Sequence, residues 1–156
     1  MILTAEQINQ LKEVINETLN TLYVNDILLL NRRGLERSIT FRFGLYFYNL
    51  TRNIDWISDL DIDLEYNKNG EGIKATARRP RGVQPDFILH RRNLNDNNAL
   101  IIEFKGWWNN YDRIIDRNKI EDFVNQESTY RYGLGVLIEL NQENFSTEYL
   151  IDYETD

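Results

Sequence analysis

The spacing of apolar residues predicts two amphipathic helices in the first third of the chain. Thr4 and Gln7 have the spacing of a capping box, and apolar residues then recur every three or four positions from 8 to 22. After the polar stretch NRRG, a second helix is predicted over 35–50, because its apolar residues fall within an arc of about 120°. Glu36 lies inside that apolar arc. Its carboxylate can face the interior, or it can lie at the surface and pair with Arg37 or Arg42.

A period of two replaces the helical period from Ile54 to Tyr66, where the even positions other than Ser58 are apolar and the odd positions are mostly acidic. This pattern predicts a strand with one buried face. The segments FILH and ALIIEF predict two more strands, and the polar, turn-rich RRNLNDNN between them predicts a hairpin that places them side by side. A helical period returns over 111–126, followed by the strand-like segments GLGVLIEL and TEYLIDY. The sequence therefore predicts an α/β (α+β) chain.

Length and charge narrow the class of protein. A chain of 156 residues has the usual size of one domain, so residues 1–156 are expected to form a single domain. There is no apolar run of bilayer length, no secretory signal pattern and no cysteine, so no membrane partner and a cytoplasmic location are expected. The net charge of −7 argues against a globally positive nucleic-acid-binding surface. Charge is nevertheless divided, because residues 74–92 hold six Lys or Arg against one Asp, whereas residues 53–67 hold five acids and no base.

Two acids lie near the ends of the predicted hairpin strands. If these strands are neighbours, Asp86 at the start of one and Glu103 near the end of the other lie level across the hairpin. Such a pair suits a hard divalent cation, which takes one or two protein carboxylates and completes its shell with water and phosphate oxygens. Lys105 projects from the same strand face as Glu103 and can reach a metal-bound water or a phosphate. Phe104, between them, is expected to point into the core.

These residues resemble the PD-(D/E)xK motif of the restriction-endonuclease-like nuclease superfamily, with Pro85 and Asp86 followed by Glu103, Phe104 and Lys105. The order of elements is similar as well: a helix, a three-strand meander that carries the motif, a crossover helix and a fourth strand. The resemblance implies a restriction endonuclease-like core of αβββαβ order, with an extra N-terminal helix. Its central sheet is expected to be mixed, with four to five strands, and flanked by helices.

The resemblance also implies an activity. The chain would be a metal-dependent nuclease with Mg²⁺ as cofactor and Mn²⁺ as a substitute. Asp86, Glu103 and the Phe104 carbonyl would hold the metal, Lys105 would be the catalytic lysine, and Glu36 would be the helix carboxylate that many members add to the metal site. DNA is favoured over RNA as the substrate, although an RNA-directed nuclease would look the same at this level. A homodimer is a candidate assembly, because family members often work as dimers.

Several side chains around the motif are candidates for contact with phosphate. They are Arg42, Arg79, Arg81, His90, Arg91 and Lys119. Arginines near a metal site would neutralise backbone phosphates that the carboxylates repel. Structural alternatives remain open: Arg42 can be an ion-pair partner that holds Glu36, Lys119 can pair with Asp116 on one helix face, and the arginines can form a solvated basic loop.

Other chemistries fit this sequence less well. It has no cysteine nucleophile, no glycine-rich phosphate loop, no GxSxG elbow and no histidine pair for zinc. Metal-assisted phosphodiester hydrolysis is therefore the favoured reaction. The alternative is a catalytically inactive nuclease-fold module for nucleic-acid binding or assembly, which would agree with the acidic net charge.

Overall fold

The computed structural model describes residues 1–152, which form five helices and seven strands. The helices are α1 (Ala5–Asn25), α2 (Ile27–Leu30), α3 (Glu36–Thr51), α4 (Asp55–Ser58) and α5 (Arg113–Val124). The strands are β1 (Asp61–Leu64), β2 (Lys68–Asn69), β3 (Gly72–Ile73), β4 (Phe87–His90), β5 (Leu100–Gly106), β6 (Leu134–Leu140) and β7 (Phe145–Leu150). Five strands form one sheet in the order β1-β4-β5-β6-β7, and β2 pairs with β3 alone. The described chain is α+β, with a mixed five-stranded sheet flanked by helices.

The strands that carry the motif lie near the middle of the sheet. β4 and β5 are antiparallel, with Phe87 opposite Ile102 and Leu89 opposite Leu100, so the predicted hairpin is confirmed. β5 and β6 are parallel, and α5 provides the crossover that a parallel pair requires. Every residue of β4 and β5 is buried. The side chains at the ends of these strands are therefore held by a rigid, fully packed frame.

The helix starts follow the polar signals in the sequence. The Gln7 amide donates to Thr4 Oγ1 at 3.2 Å and the Thr4 amide donates to Gln7 Oε1 at 2.9 Å, so the predicted capping box is confirmed. Asp112 caps α5 by accepting from the Ile114 amide at 2.9 Å. No helix among residues 1–152 combines the length and apolarity that crossing a bilayer would need.

The predicted strand over Ile54–Tyr66 is wrong in its first half. Residues Asp55–Ser58 form the helical turn α4, and the strand β1 begins only at Asp61. Trp56 Nε1 donates to Gln10 Oε1 of α1 at 2.7 Å, and Ile57 is 2% exposed, so both residues pack inward from the turn. An alternating pattern this short fits either local structure, and packing against α1 decides between them. The last predicted strand ends at Leu150, and residues 153–156 lie outside the described chain.

The sheet separates two apolar layers, and alternate residues of each strand enter opposite layers. On the α1 and α3 side, Phe43 packs against Phe87 and Phe104, with ring centroids 5.3 and 5.1 Å apart. On the other side, Ile101 packs in a cluster with Ile120 of α5. Phe104 thus enters the core as predicted. Its neighbours in β5 face the α5 layer instead.

A buried lysine lies in the α5 layer. Lys74 is 2% exposed, and its Nζ lies 4.8 to 5.8 Å from the ring centroids of Tyr66, Phe123, Tyr130 and Tyr132. Burial lowers the pKa of Lys74 to about 8. The negative ring faces attract the ammonium and offset part of this desolvation, so the aromatic cage is what keeps a lysine in the core.

Gly135→Ala should destabilise the protein by about 1–3 kcal/mol, because α5 packs closely over this glycine of β6. A Cβ at Gly135 would lie 2.1 Å from Ile120 Cγ2 and 2.9 Å from Val124 Cγ1. Gly44→Ala is the matched control in α3, because its Cβ would meet Leu64 Cδ2 at an ordinary 3.6 Å. This control should gain about 0.5–1 kcal/mol from helix propensity. Urea unfolding measures the free energy of unfolding of both variants. An equal loss of stability in the two variants would contradict close packing specific to Gly135.

Candidate functional site

Asp86 and Glu103 meet where the pairing of β4 and β5 ends. Each acid lies one residue beyond the last paired residues, Phe87 and Ile102. The Asp86 amide lies 3.4 Å from Glu103 Oε1, and the Phe104 amide donates to Asp86 Oδ2 at 2.8 Å. The amide and the carbonyl of one strand residue point toward the same side, so the Phe104 carbonyl lies on the side of β5 that faces β4. The structure therefore brings together the two acids that the sequence places on neighbouring strands.

The environment of these two carboxyls disfavours their charged forms. Glu103 is 2% exposed. Burial raises the pKa of Glu103 to about 8, and the charge of Asp86 acts in the same direction. Burial also raises the pKa of Asp86, against the opposing effect of the hydrogen bond from the Phe104 amide. A positive charge placed beside both carboxyls would relieve their desolvation and their mutual repulsion.

Two lysines reach this cluster from different elements. Lys105 of β5 pairs with Asp116 of α5, with Nζ and Oδ2 2.5 Å apart, and both side chains are largely buried. Lys119, one helical turn after Asp116, pairs with Glu103 and donates to the Gln84 carbonyl at 3.1 Å. The pair that α5 could have formed within itself, between Asp116 and Lys119, is thus replaced by two pairs that tie the helix to β5.

Glu36 joins the cluster from the first turn of α3. Its Oε1 accepts a hydrogen bond from the Gly106 amide at 3.0 Å, which fixes the start of the helix to the end of β5. A cavity of about 260 Å³ opens beside it, lined by Glu36, Arg37, Thr40, Leu64, Glu65 and Asp86. The charge of Glu36 contributes to the raised pKa of Asp86. Glu36 therefore lies at the mouth of the site, where the cavity meets Asp86.

Two of the phosphate candidates have structural partners in the interior. The Arg42 guanidinium donates to both oxygens of Asp26, and it also contacts the Tyr46 hydroxyl. The ring of His90 is 3% exposed, and its Nε2 lies 2.8 Å from Asp63 Oδ2. Both side chains connect secondary-structure elements to one another.

The other phosphate candidates differ in how far they are committed to protein partners. Arg79 is 21% exposed and pairs with Asp122 of α5 at 3.1 Å. Arg91 donates to the Asp59 carbonyl at 3.4 Å, and Arg81 is exposed in the turn before β4. Lys119 is the candidate that the structure places directly at the acidic cluster, through its pair with Glu103.

Sequence reasoning missed one contributor to this site and favoured the wrong environment for another. Asp116 holds Lys105, although the sequence suggests only a pair with Lys119. Glu65 can join the site by its sequence position, but its acidic neighbours favour a solvated face; in the structure it lines the cavity beside Asp86 and pairs with Arg37 at 2.7 Å. Its amide also donates to the Asp86 carbonyl, at 3.1 Å. The unusual signal at Glu65 is its positive φ of 50°, which appears only in the folded chain.

The donor set suits a hard divalent cation. The cluster contains more carboxylates than ammonium groups: Glu36, Asp86, Glu103 and Asp116 against Lys105 and Lys119. With all four carboxyls ionised, two negative charges would remain unpaired, and one Mg²⁺ would balance them. A bound cation would also favour the ionised form of Glu103, whose pKa burial raises to about 8. Within residues 1–152 no three Asp, Glu, His or Cys side chains gather closely enough to hold a metal. Mg²⁺ needs only one or two protein carboxylates when phosphate and water complete its shell, so Asp86 and Glu103 fit it.

The geometry defines a class of site: a partly buried acidic pair with adjacent lysines, at the end of two central strands. Comparisons of the chain with protein-family models, with curated proteins and with solved structures return no match. What this site does is therefore inferred from its own residues and their chemistry.

Proposed function

We propose that the protein is a Mg²⁺-dependent nuclease of the PD-(D/E)xK type, which hydrolyses phosphodiester bonds of DNA. The observation that carries the proposal is the meeting of Asp86 and Glu103 at the end of β4 and β5, with Lys105 two residues further along β5. The order α3, β1, β4, β5, α5, β6 agrees with the αβββαβ order of a restriction endonuclease-like core, and that finer assignment of the fold is part of the proposal.

The residues of the site have different roles in the proposed hydrolysis. Asp86, Glu103 and the Phe104 carbonyl would hold Mg²⁺, with Glu36 at the open side of the site. When bound, the metal would supply a water of lowered pKa and a positive charge next to the phosphate. Lys105 orients the attacking water and stabilises negative charge that develops on the phosphate.

Two residues of α5 support this arrangement. Asp116 holds the ammonium of Lys105 in one position, so the lysine loses little conformational freedom during the reaction. Lys119 neutralises Glu103 in the metal-free protein. With a cation bound to that carboxylate, Lys119 would be able to contact a phosphate of the substrate.

A second candidate function is a catalytically inactive binding or assembly module. One observation favours it: Lys119 already pairs with Glu103 and Lys105 already pairs with Asp116, so internal partners satisfy much of the charge in the site. Binding of a divalent cation separates the two candidates. A nuclease site exchanges Lys119 for the metal, whereas a site that serves only the fold keeps its internal pairs.

A panel of linear, circular, branched and single-stranded DNA, together with RNA, tests the proposal in Mg²⁺ or Mn²⁺. Metal-dependent cleavage of DNA is expected. A thermal shift should accompany it, because a ligand at a hundred times its Kd stabilises a folded protein by about 2.7 kcal/mol. Cleavage of RNA alone would make the protein an RNA-directed nuclease. The absence of both cleavage and metal-induced stabilisation would favour the inactive module.

A further inference from the structure

An exposed strip of apolar and basic side chains runs along α3. Phe41, Leu45 and Tyr48 are 59%, 40% and 54% exposed, and they follow one another at steps of four and three residues. Arg37 precedes them by one turn and Arg52 follows Tyr48 by one turn, so all five side chains share one helix face. We name these five residues the α3 strip. Large apolar side chains that adjoin one another on a surface mark a binding site more often than scattered ones do.

The α3 strip begins at the candidate metal centre. Arg37 lines the cavity that also contains Glu36 and Asp86. The Arg37 side chain is 85% exposed, and its pair with Glu65 is of the surface kind that costs little to break. Phe41 lies one turn further along the same face. A ligand that occupies the cavity can therefore continue along the strip without crossing another element of the fold.

The charge around the strip identifies the kind of ligand. Residues 31–54 contain one acid, Glu36, against five arginines: Arg32, Arg33, Arg37, Arg42 and Arg52. Asp26 neutralises Arg42, so four arginines contribute to the charge around the strip. The chain as a whole carries a net charge of −7, so this segment is locally basic within an acidic protein. A polyanion is the complementary ligand. A second copy of the chain is a poorer fit, because two such strips packed face to face would bring arginines together.

We propose that the α3 strip binds a single-stranded segment of the nucleic-acid substrate and leads it to the metal centre, an inference that rests on the proposed nuclease function. Unpaired bases stack on Phe41 and Tyr48, while Arg37 and Arg52 contact phosphates. A duplex hides its base faces, so the strip selects substrates that carry a tail, flap or gap. Seven residues of helix separate the two rings, a rise of about 10 Å, which spans about three nucleotides at about 3.4 Å each.

Strand binding without cleavage tests the proposal. Fluorescence anisotropy of a labelled oligothymidylate is measured in EDTA with the full chain. The double variant Phe41→Ala/Tyr48→Ala should bind at least about tenfold more weakly, because each stacked base depends on its ring. Phe41→Trp should retain affinity. Leu94→Ala is the control, since Leu94 is a comparably exposed apolar residue in the loop between β4 and β5.

Further ligands and a stability measurement separate stacking from other effects. A duplex of the same length should bind the double variant as tightly as it binds the wild type, and so should an abasic strand. Thermal unfolding should be unchanged, because both rings are more than half exposed. The inference is overturned if the wild type binds no single strand, or if the double variant keeps its affinity for the oligothymidylate. It is also overturned if the double variant loses as much affinity for the abasic strand as for the oligothymidylate. It is also overturned if light scattering shows that the double variant only dissociates a dimer.

The same measurements distinguish failure of the strip from failure of the nuclease. Glu103→Gln should lose cleavage while its affinity for the oligothymidylate stays within about twofold of wild type, since Glu103 lies outside the strip. If the wild type cuts nothing and the double variant still loses strand affinity, the nuclease proposal fails and the α3 strip stands as a binding surface. If cleavage occurs and the double variant keeps its affinity for single strands, the strip fails and the nuclease stands.

Discussion

Glu103→Gln should reduce metal-dependent cleavage by at least about a thousandfold while the fold is retained. The amide keeps the size of the side chain, but it removes the negative charge that would hold the cation beside the phosphate. Asp86→Asn should have a loss of similar size for the same reason. Both variants should also lose the increase in unfolding temperature that Mg²⁺ or Mn²⁺ produces in the wild type. Initial cleavage rates and thermal unfolding with and without metal measure the two effects.

Glu148→Gln is the matched control for this prediction. Glu148 lies in β7 of the same sheet, so the variant makes the same change from carboxylate to amide at another strand. Its side chain is 48% exposed and pairs with Arg117. It should cleave at the wild-type rate and keep the metal-induced stabilisation. Cleavage that survives Glu103→Gln would remove Glu103 from the metal site. An equal loss in Glu148→Gln would point to general damage to the sheet.

The metal-free protein should lose stability as the pH rises from about 5 to about 8. The pKa of Glu103 is raised from 4.5 to about 8 in the folded state by burial and by the charge of Asp86. Between these values the folded state binds more protons than the unfolded state, so the free energy of unfolding falls with rising pH. At about 1.4 kcal/mol per pKa unit, the loss has an upper bound of about 5 kcal/mol. The pair with Lys119 opposes the rise in the pKa of Glu103, and the value of about 8 already includes its effect.

Urea unfolding in EDTA at several pH values between 5 and 8.5 measures this dependence. Glu103→Gln should flatten the profile, because an amide does not titrate, whereas Glu148→Gln should keep the wild-type slope. Mg²⁺ added at pH 8 should restore part of the lost stability through preferential binding to the folded state. A wild-type protein whose stability rises over this range would contradict the assigned environment of Glu103.

Local patterns in the sequence were sufficient to predict most of the secondary structure. The capping box at Thr4 and the apolar period of α3 depend on contacts within one helix turn, which the sequence records directly. The strands β4 and β5 are short apolar runs joined by a polar connection, so their pairing follows from chain connectivity. The segment Asp55–Ser58 is the exception, because its packing against α1 outweighs a weak alternating pattern.

The charge pattern of the sequence did not reveal which basic residues are free. The basic residues of segment 74–92, on both sides of β4, are candidates for phosphate contact by sequence, yet Arg79 pairs with Asp122 and Arg92 pairs with Asp63. Lys74 from the same segment enters an aromatic cage in the core. Asp122 and Asp63 lie 43 and 29 positions away along the chain from these arginines, and their proximity follows from the docking of α5 and β1 on the sheet. Residue counts cannot show such pairing.

The sequence by itself determined the three long helices α1, α3 and α5 and the two motif strands. It also determined that Asp86 and Glu103 lie opposite each other, because a hairpin aligns residues through short-range geometry. Only the tertiary structure decided the rest of the site. Packing of α5 on the sheet brings Asp116 to Lys105 and Lys119 to Glu103, and packing of α3 brings Glu36 to the Gly106 amide. These contacts form only when separate elements of the fold pack together, and the burial that shifts the pKa of Glu103 exists only once those elements have closed over it.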